Sequence, residues 1–364
     1  MLLQIQLLRV HEKRRSLRME NRKRDYALDL LKFICCIIFV LTHYEAQFGV
    51  HFPHLSFGFG KLYMGIVNEL FFIVSGYLAF NGIEKILNGL SFNRYFSSKV
   101  IRLVPLAAIS TVLYGIMTYV TRHGEDFSVW KIIVTAAGMN AGGAFNEMFV
   151  NSHLWYLSVL LLCHALFFIC IRLSQRLKIN WRYACFFMVV FGASISGITE
   201  LTSVPFVNFA AACGYMSFFT GVLLASVLAA HRPNTAGTLL SLFIVAGFTL
   251  LFIFKYDIML YGILYLFIFI YYPAVIVLFE SKPFQKLLDC RFFGFLGQIS
   301  FGIYIWHMEF NVLLSSLDGI MHLGVNFASR WTELAVVFIN IAIGIVSFYL
   351  LEKPLTKALK KKLG

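Results

Sequence analysis

Two histidines and a carboxylate stand among residues suited to hydrocarbon, and together they have the makings of a general base. Glu69 lies in Asn68-Glu69-Leu70-Phe71-Phe72-Ile73-Val74-Ser75-Gly76-Tyr77-Leu78, His43 in Thr42-His43-Tyr44, and His307 in Tyr304-Ile305-Trp306-His307. A charged side chain at membrane depth costs roughly 2.5 to 3.5 kcal/mol on insertion scales, so it normally faces a bundle interior, finds a partner and marks function. A carboxylate beside an imidazole fixes its tautomer and stabilises the imidazolium as it forms. Glu69 is therefore expected to pair with His43, one helix earlier, and to orient and charge the base rather than act as one.

These groups need membrane-spanning helices to position them, and the composition supplies such helices. Of 364 residues 59% are hydrophobic, only 13% are charged and 39 are Phe, more apolar surface than a soluble domain can bury. The apolar residues form blocks of about 20, the length that crosses a hydrocarbon core. Blocks run near 27–48, 62–82, 103–121, 153–172, 183–199, 207–230, 236–255, 257–279, 292–317 and 332–351. The expected fold is all-α: a polytopic integral membrane protein of about ten transmembrane helices. The weakest division is the short Lys255-Tyr256-Asp257 connection.

Charge asymmetry gives an independent reading of topology. With the N terminus inside, 25 of the 31 Lys and Arg fall on cytoplasmic segments, as the positive-inside bias requires. Both termini are then cytoplasmic. The net charge of +13 is explained by topology and lipid headgroups and gives no reason to invoke nucleic acid. Residues 1–24 form a basic N-terminal segment without the core of a signal peptide, 25–355 the membrane domain and 356–364 a basic tail. The seven cysteines show no metal or redox spacing and read as packing residues, with Cys290 at the inner face. The outer connection 122–152, with its Gly138-Met139-Asn140-Ala141-Gly142-Gly143-Ala144 stretch, is suited to a substrate-facing loop.

Helix rise places the ionisable groups in one layer. His43 lies roughly 24 Å up the first helix, His307 roughly 22 Å up the ninth, and Glu69 about 10 Å below the outer boundary on the second. Structural alternatives carry weight for single residues. His307 and His164 are equally suited to hydrogen bonds between helices, an aromatic belt accounts for Trp155 beside His153, and Glu309 and Asn311 read as solvated at the outer end of the ninth helix.

Several motifs resemble, in order, those of the membrane-bound acyltransferase family 3. The first helix carries Leu28-Asp29-Leu30-Leu31-Lys32 and Thr42-His43-Tyr44, and the second carries the run from Glu69 to Leu78 with Ser75 and Tyr77. Then come Lys99-Val100-Ile101-Arg102-Leu103-Val104-Pro105, Leu154-Trp155-Tyr156-Leu157, Ser300-Phe301-Gly302-Ile303-Tyr304-Ile305-Trp306-His307 and Glu352-Lys353-Pro354. The resemblance implies an O-acyltransferase of the cell membrane that moves a short acyl group, acetyl foremost, from cytoplasmic acyl-CoA to a hydroxyl of a surface glycan or its precursor. It implies no tightly bound cofactor and no metal. His43 and Glu69 are the expected catalytic pair, with His307 and Ser75 as further candidates, Ser75 as a covalent relay. Lys99 and Arg102 are the expected contacts to the coenzyme A phosphates, and Asp29, Tyr77, Trp155 and Tyr304 are structural motif residues. The family usually has Arg where Lys99 stands, and Lys keeps the charge but loses bidentate geometry. The rival reading is a proton-coupled transporter built on the same buried His and Glu groups.

Overall fold

Long apolar segments can satisfy their backbone within a bilayer only by forming helices or a closed barrel, and here they form helices. The computed structural model describes residues 24–50, 67–121, 128–139, 150–198, 204–254 and 262–363. Among these the only departure from helix and loop is an isolated bridge between Val204 and Val207. The long helices are α1 (Tyr26–Phe48), α2 (Val67–Leu87), α3 (Phe92–Thr121), α4 (Trp155–Leu177), α5 (Trp181–Ser196), α6 (Phe209–Ala230), α7 (Thr235–Phe254), α8 (Ile263–Glu280), α9 (Arg291–Met321) and α10 (Arg330–Lys362). Each expected block thus contains a helix. Most of the basic segment 1–24, the first residues of the second block, the Lys255-Tyr256-Asp257 connection and most of the outer loop 122–152 lie outside the described residues.

Among the described residues, seven helices are long and apolar enough to cross a membrane. The helices α5 and α7 are apolar but shorter. At 31 residues α9 is ample in length, but Gln298, His307, Glu309 and Asn311 dilute its hydropathy. Two boundaries differ from expectation. The third helix starts at Phe92 rather than near 103, because no breaker separates the basic stretch from the apolar one. Lys99 and Arg102 therefore stand on α3 itself, three residues apart. The basic tail is also helical, Lys353–Leu363 forming the last turns of α10.

Local sequence explains the ends and irregularities. The Asp25 side chain caps α1 by accepting from the Leu28 N–H at 3.1 Å, and Gly49 ends the helix at φ 61°. Asn208 caps α6 in the same way, accepting from Ala211 at 2.9 Å. Both π-type segments, Phe267–Tyr271 and Phe348–Glu352, end two residues before a proline, Pro273 and Pro354. A wider turn there relieves the missing donor and the clash with the preceding carbonyl.

Close helix packing fixes the positions of α2 and α6. A Cβ on Gly76 would lie 1.8 Å from the Phe218 carbonyl oxygen, and one on Gly221 would lie 2.0 Å from the Ile73 carbonyl oxygen. Only glycine permits this approach, the usual route to tight association of helices in lipid. Gly76→Ala is expected to cost about 1–3 kcal/mol through overpacking and to lower the thermal unfolding midpoint in detergent. Gly247→Ala, where nothing lies within 4 Å of the added Cβ, is expected to leave the midpoint unchanged. Equal midpoints for the two variants would count against the close α2–α6 contact.

Candidate active site

Toward their C-terminal halves α1 and α9 bring two imidazoles into contact. His43 Nδ1 lies 2.7 Å from His307 Nε2, with the rings stacked at 4.8 Å between centroids. His307 Nδ1 lies 2.7 Å from the Tyr304 carbonyl oxygen. A carbonyl only accepts, so the proton between them belongs to His307 Nδ1. In the neutral ring Nε2 is then the acceptor, and His43 Nδ1 must be the donor to it. His43 Nε2 is left with the lone pair. His307 is fully buried, whereas His43 keeps partial exposure. The chain therefore ends in one accessible basic nitrogen.

The expected pairing of His43 with Glu69 is not formed. Glu69 is hydrogen-bonded to the Cys213 thiol on α6 and lies within electrostatic reach of Tyr272 on α8, and no hydrogen bond or ion pair joins it to His43. Its other carboxylate oxygen, Oε2, is buried without a partner. The cause is the Gly76–Gly221 packing, which seats α2 on α6 and turns the Glu69 face of α2 toward Cys213. Matched depth was the right guide for His43 and His307, which meet, and a poor one for Glu69, which faces another neighbour.

A third imidazole completes the cluster. The His153 ring centroid lies 4.9 Å from that of His307 and 6.4 Å from that of His43. His153 is buried, with both ring nitrogens closed to solvent and the Ile305 backbone carbonyl beside the ring. Its backbone is held firmly. The Tyr304 hydroxyl donates to the His153 carbonyl, and two residues earlier Asn151 adopts φ 62°. The Asn151 side-chain amide donates to Glu309 Oε1 at 2.7 Å and Ser110 Oγ at 2.9 Å, and Ser110 Oγ donates to the same carboxylate oxygen. Glu309 and Asn311 are buried, not solvated as their place on α9 suggests, because α3 and the turn before α4 close over them. Burial of Asn151 and its φ of 62° belong to the structure, and the sequence alone carried no signal for this lock.

The other motif residues pack among aromatic side chains of the neighbouring helices. Ser75 Oγ lies 3.3 Å from the Tyr156 hydroxyl, so its hydrogen-bond partner is a phenol rather than a base. Tyr304 packs edge-on against Tyr156 and Phe39, and Phe39 stacks in turn on His43. Trp155 is half-buried against Phe72, and Tyr77 is buried where α2 meets Gly221.

At the opposite end of α1, Asp29 is buried in ion pairs with Arg24 and Lys32. A Cβ on Gly297 would strike the Asp29 side chain at 2.5 Å, so glycine there leaves room for the carboxylate. On α3 the Lys99 ammonium lies over the Tyr95 ring at 5.3 Å, and the Tyr95 hydroxyl meets His164 Nδ1 at 3.0 Å. Arg102 is exposed, within electrostatic reach of Lys32, Lys99 and Glu352, and makes no ion pair among the described residues. Four cations against two carboxylates give this mouth an excess of positive charge. No group of metal-ligating side chains capable of holding an ion occurs among the described residues.

The chemistry of the histidine cluster is that of a proton acceptor in a closed chain, since the Tyr304 carbonyl cannot pass a proton onward. That closure suits a base and gives a proton relay no exit. Comparison with known proteins points the same way. Residues 25–351 match the model of a family described as an acyltransferase domain. No curated protein and no solved structure matches the chain. With a match over nearly its whole length, and with the ordered motifs resting on the helices just described, the chain belongs to the membrane-bound acyltransferase family 3.

Proposed function

We propose that the protein transfers a short acyl group, most simply acetyl, from cytoplasmic acyl-CoA to a hydroxyl of a surface glycan or its precursor at the cell membrane. The observation that carries this reading is the hydrogen-bonded sequence from the Tyr304 carbonyl through His307 to His43, which leaves His43 Nε2 as an accessible lone pair. The acceptor hydroxyl gives its proton to that nitrogen as its oxygen attacks the thioester carbonyl, and the thiol leaves with the proton that His43 then returns. His307 takes the orienting role expected of Glu69. Attack is direct, because Ser75 has no base beside it.

The cations at the other mouth fit the donor. Lys32, Lys99 and Arg102 are placed to hold phosphate groups, with Arg102 free of any competing ion pair among the described residues. Lys32 and His43 are eleven residues apart on α1, about 16 Å along the axis. A donor anchored by its phosphates thus needs a long arm to bring its thioester to the base, as coenzyme A has. In this arrangement the chain crosses the membrane ten times with both termini in the cytoplasm, and α5, α7 and α9 complete the spans.

Removing the base is expected to lower acyl transfer at least 100-fold in His43→Ala. Loss of the orienting partner in His307→Ala is expected to cost less, and Glu69→Gln, which keeps shape and a bond to Cys213, less than tenfold. These values come from acyl-CoA turnover in membranes, with NMR of purified surface glycan reporting O-acyl signals in the same strains. Equal losses for Glu69→Gln and His43→Ala would restore the carboxylate–histidine pair, and unchanged glycan signals in His43→Ala cells would remove the glycan acceptor.

Topology has its own test. Cys290 is the exposed cysteine among the described residues and lies at the start of α9. A membrane-impermeant maleimide is expected to label it in permeabilised cells and not in intact ones, with Cys290→Ser as the blank. Labelling of intact cells would invert the topology.

A further inference from the structure

The basic mouth holds its cations in different ways. Lys32 is paired with Asp29, and Arg102 stands exposed within electrostatic reach of Glu352. Lys99 is half-buried, yet it makes no ion pair among the described residues. Its ammonium lies instead 5.3 Å from the centroid of the Tyr95 ring. Tyr95 stands four residues earlier on α3, and side chains on a helix lean toward its N terminus. Lys99 therefore reaches back over the Tyr95 ring, toward the start of α3.

The ring beneath the ammonium is held in place from α4. Tyr95 is buried, its hydroxyl meets His164 Nδ1 at 3.0 Å, and the rings of Phe168 and Phe167 lie 5.6 and 6.2 Å from its own. Such a mount matters more to a lysine than to an arginine. Lys is a point charge on a flexible four-carbon stem, whereas the fork of Arg is preorganised. Ordering that stem at the moment of binding subtracts from affinity, so a lysine restrained beforehand binds an anion better. An aromatic face attracts the cation through its quadrupole and, unlike a carboxylate, leaves the positive charge uncancelled. The Lys99 ammonium is thus restrained and still charged.

We propose, resting on the phosphate-anchoring reading above, that Tyr95 is a positioning residue for the acyl donor: its ring, held by α4, sets the Lys99 ammonium where it meets a phosphate of acyl-CoA. Tyr95 acts through Lys99 and does not itself touch the donor. The contact made is ammonium to phosphate oxygen, a charge-assisted hydrogen bond. Lys99 and Arg102 are three residues apart and share one face of α3, so fixing the first also fixes the spacing between the two charges. His164 has a part in this as the cross-helix partner of Tyr95, which ties α3 to α4 at the level of the anchor.

The test measures coenzyme A binding by calorimetry, and KM and kcat for acetyl-CoA, on purified full-length protein in nanodiscs. Tyr95→Leu and Tyr95→Met remove the aromatic face, Tyr95→Phe keeps it, and Lys99→Gln removes the charge. Kd reports only molecules that fold, so a lower yield of a variant does not disturb the comparison. The expected result is a rise in Kd and KM of about fivefold for Leu and Met, with kcat within about twofold of the parent, a rise below about twofold for Phe, and at least tenfold for Lys99→Gln. In the Lys99→Gln background Tyr95→Leu is expected to add nothing, because the ring then has no cation to place. A Kd at the parent value in Leu and Met, with Lys99→Gln still impaired, overturns the positioning role and leaves the anchor reading standing. A full fivefold effect of Tyr95→Leu in the Lys99→Gln background, or an equal loss in Phe and Leu, also overturns it, since the ring face would not be acting through Lys99. A parent-like Kd in Lys99→Gln would instead remove the anchor reading on which the proposal rests.

Discussion

The helices α1 and α9 touch through polar groups at three levels spaced one heptad apart on α1: Asp29 against Gly297, Cys36 against Ser300, and His43 against His307. A seven-residue repeat keeps one face of a gently supercoiled helix turned toward its neighbour, so these contacts are successive rungs of one seam. Apolar contact gains little in lipid, where tails are as apolar as leucine. The seam holds through fit and polar bonds, and the Cys36 thiol donating to the Ser300 carbonyl at 3.1 Å is its middle rung. Because the seam fixes the register of the two helices, it also decides which nitrogen of His43 is bonded and which is open.

A second constraint acts at right angles to the first. The α2–α6 contact is backbone against backbone at Gly76 and Gly221, which leaves α2 no freedom to rotate about its axis. With that face committed, Glu69 reaches Cys213 and Tyr272, and an imidazole does for His43 what a carboxylate does elsewhere. The substitution has a chemical consequence. A neutral imidazole accepting from His43 Nδ1–H fixes the tautomer as well as a carboxylate can, but it brings no negative charge to steady the imidazolium.

How much of this was legible in the sequence follows from what sequence measures in a membrane helix. Position along the axis is a matter of counting, at about 1.5 Å per residue, so the shared layer of His43 and His307 could be read, as could the helices themselves. Rotation about the axis is set by neighbours, and neighbours are not written in one helix. Hence Glu69 was assigned to His43, whereas the rotation of α2 turns it toward Cys213. The helix expected at 292–317 forms as α9 even though His307, Glu309 and Asn311, which are buried, lower its hydropathy. His153 was hidden by its neighbour: Trp155 reads as an interface belt residue, and the bonds that bring His153 inward come from Ser110 and Glu309, 43 and 156 residues away along the chain.

The two ends of α1 impose opposite demands, and the helix between them relates the two. At Asp29 the problem is to hold cations near a low-dielectric interior, and it is solved by pairing Arg24 and Lys32 with one buried carboxylate while Lys99 and Arg102 remain nearby on α3. At His43 the problem is to keep a nitrogen basic, and a nearby cation would lower that basicity by repelling the imidazolium. About 16 Å of apolar helix keeps the two apart. Under the proposed chemistry the separation is functional in its own right, since a donor can be held by its charge at one end while its reacting carbon meets a base that its anchoring cations do not disturb.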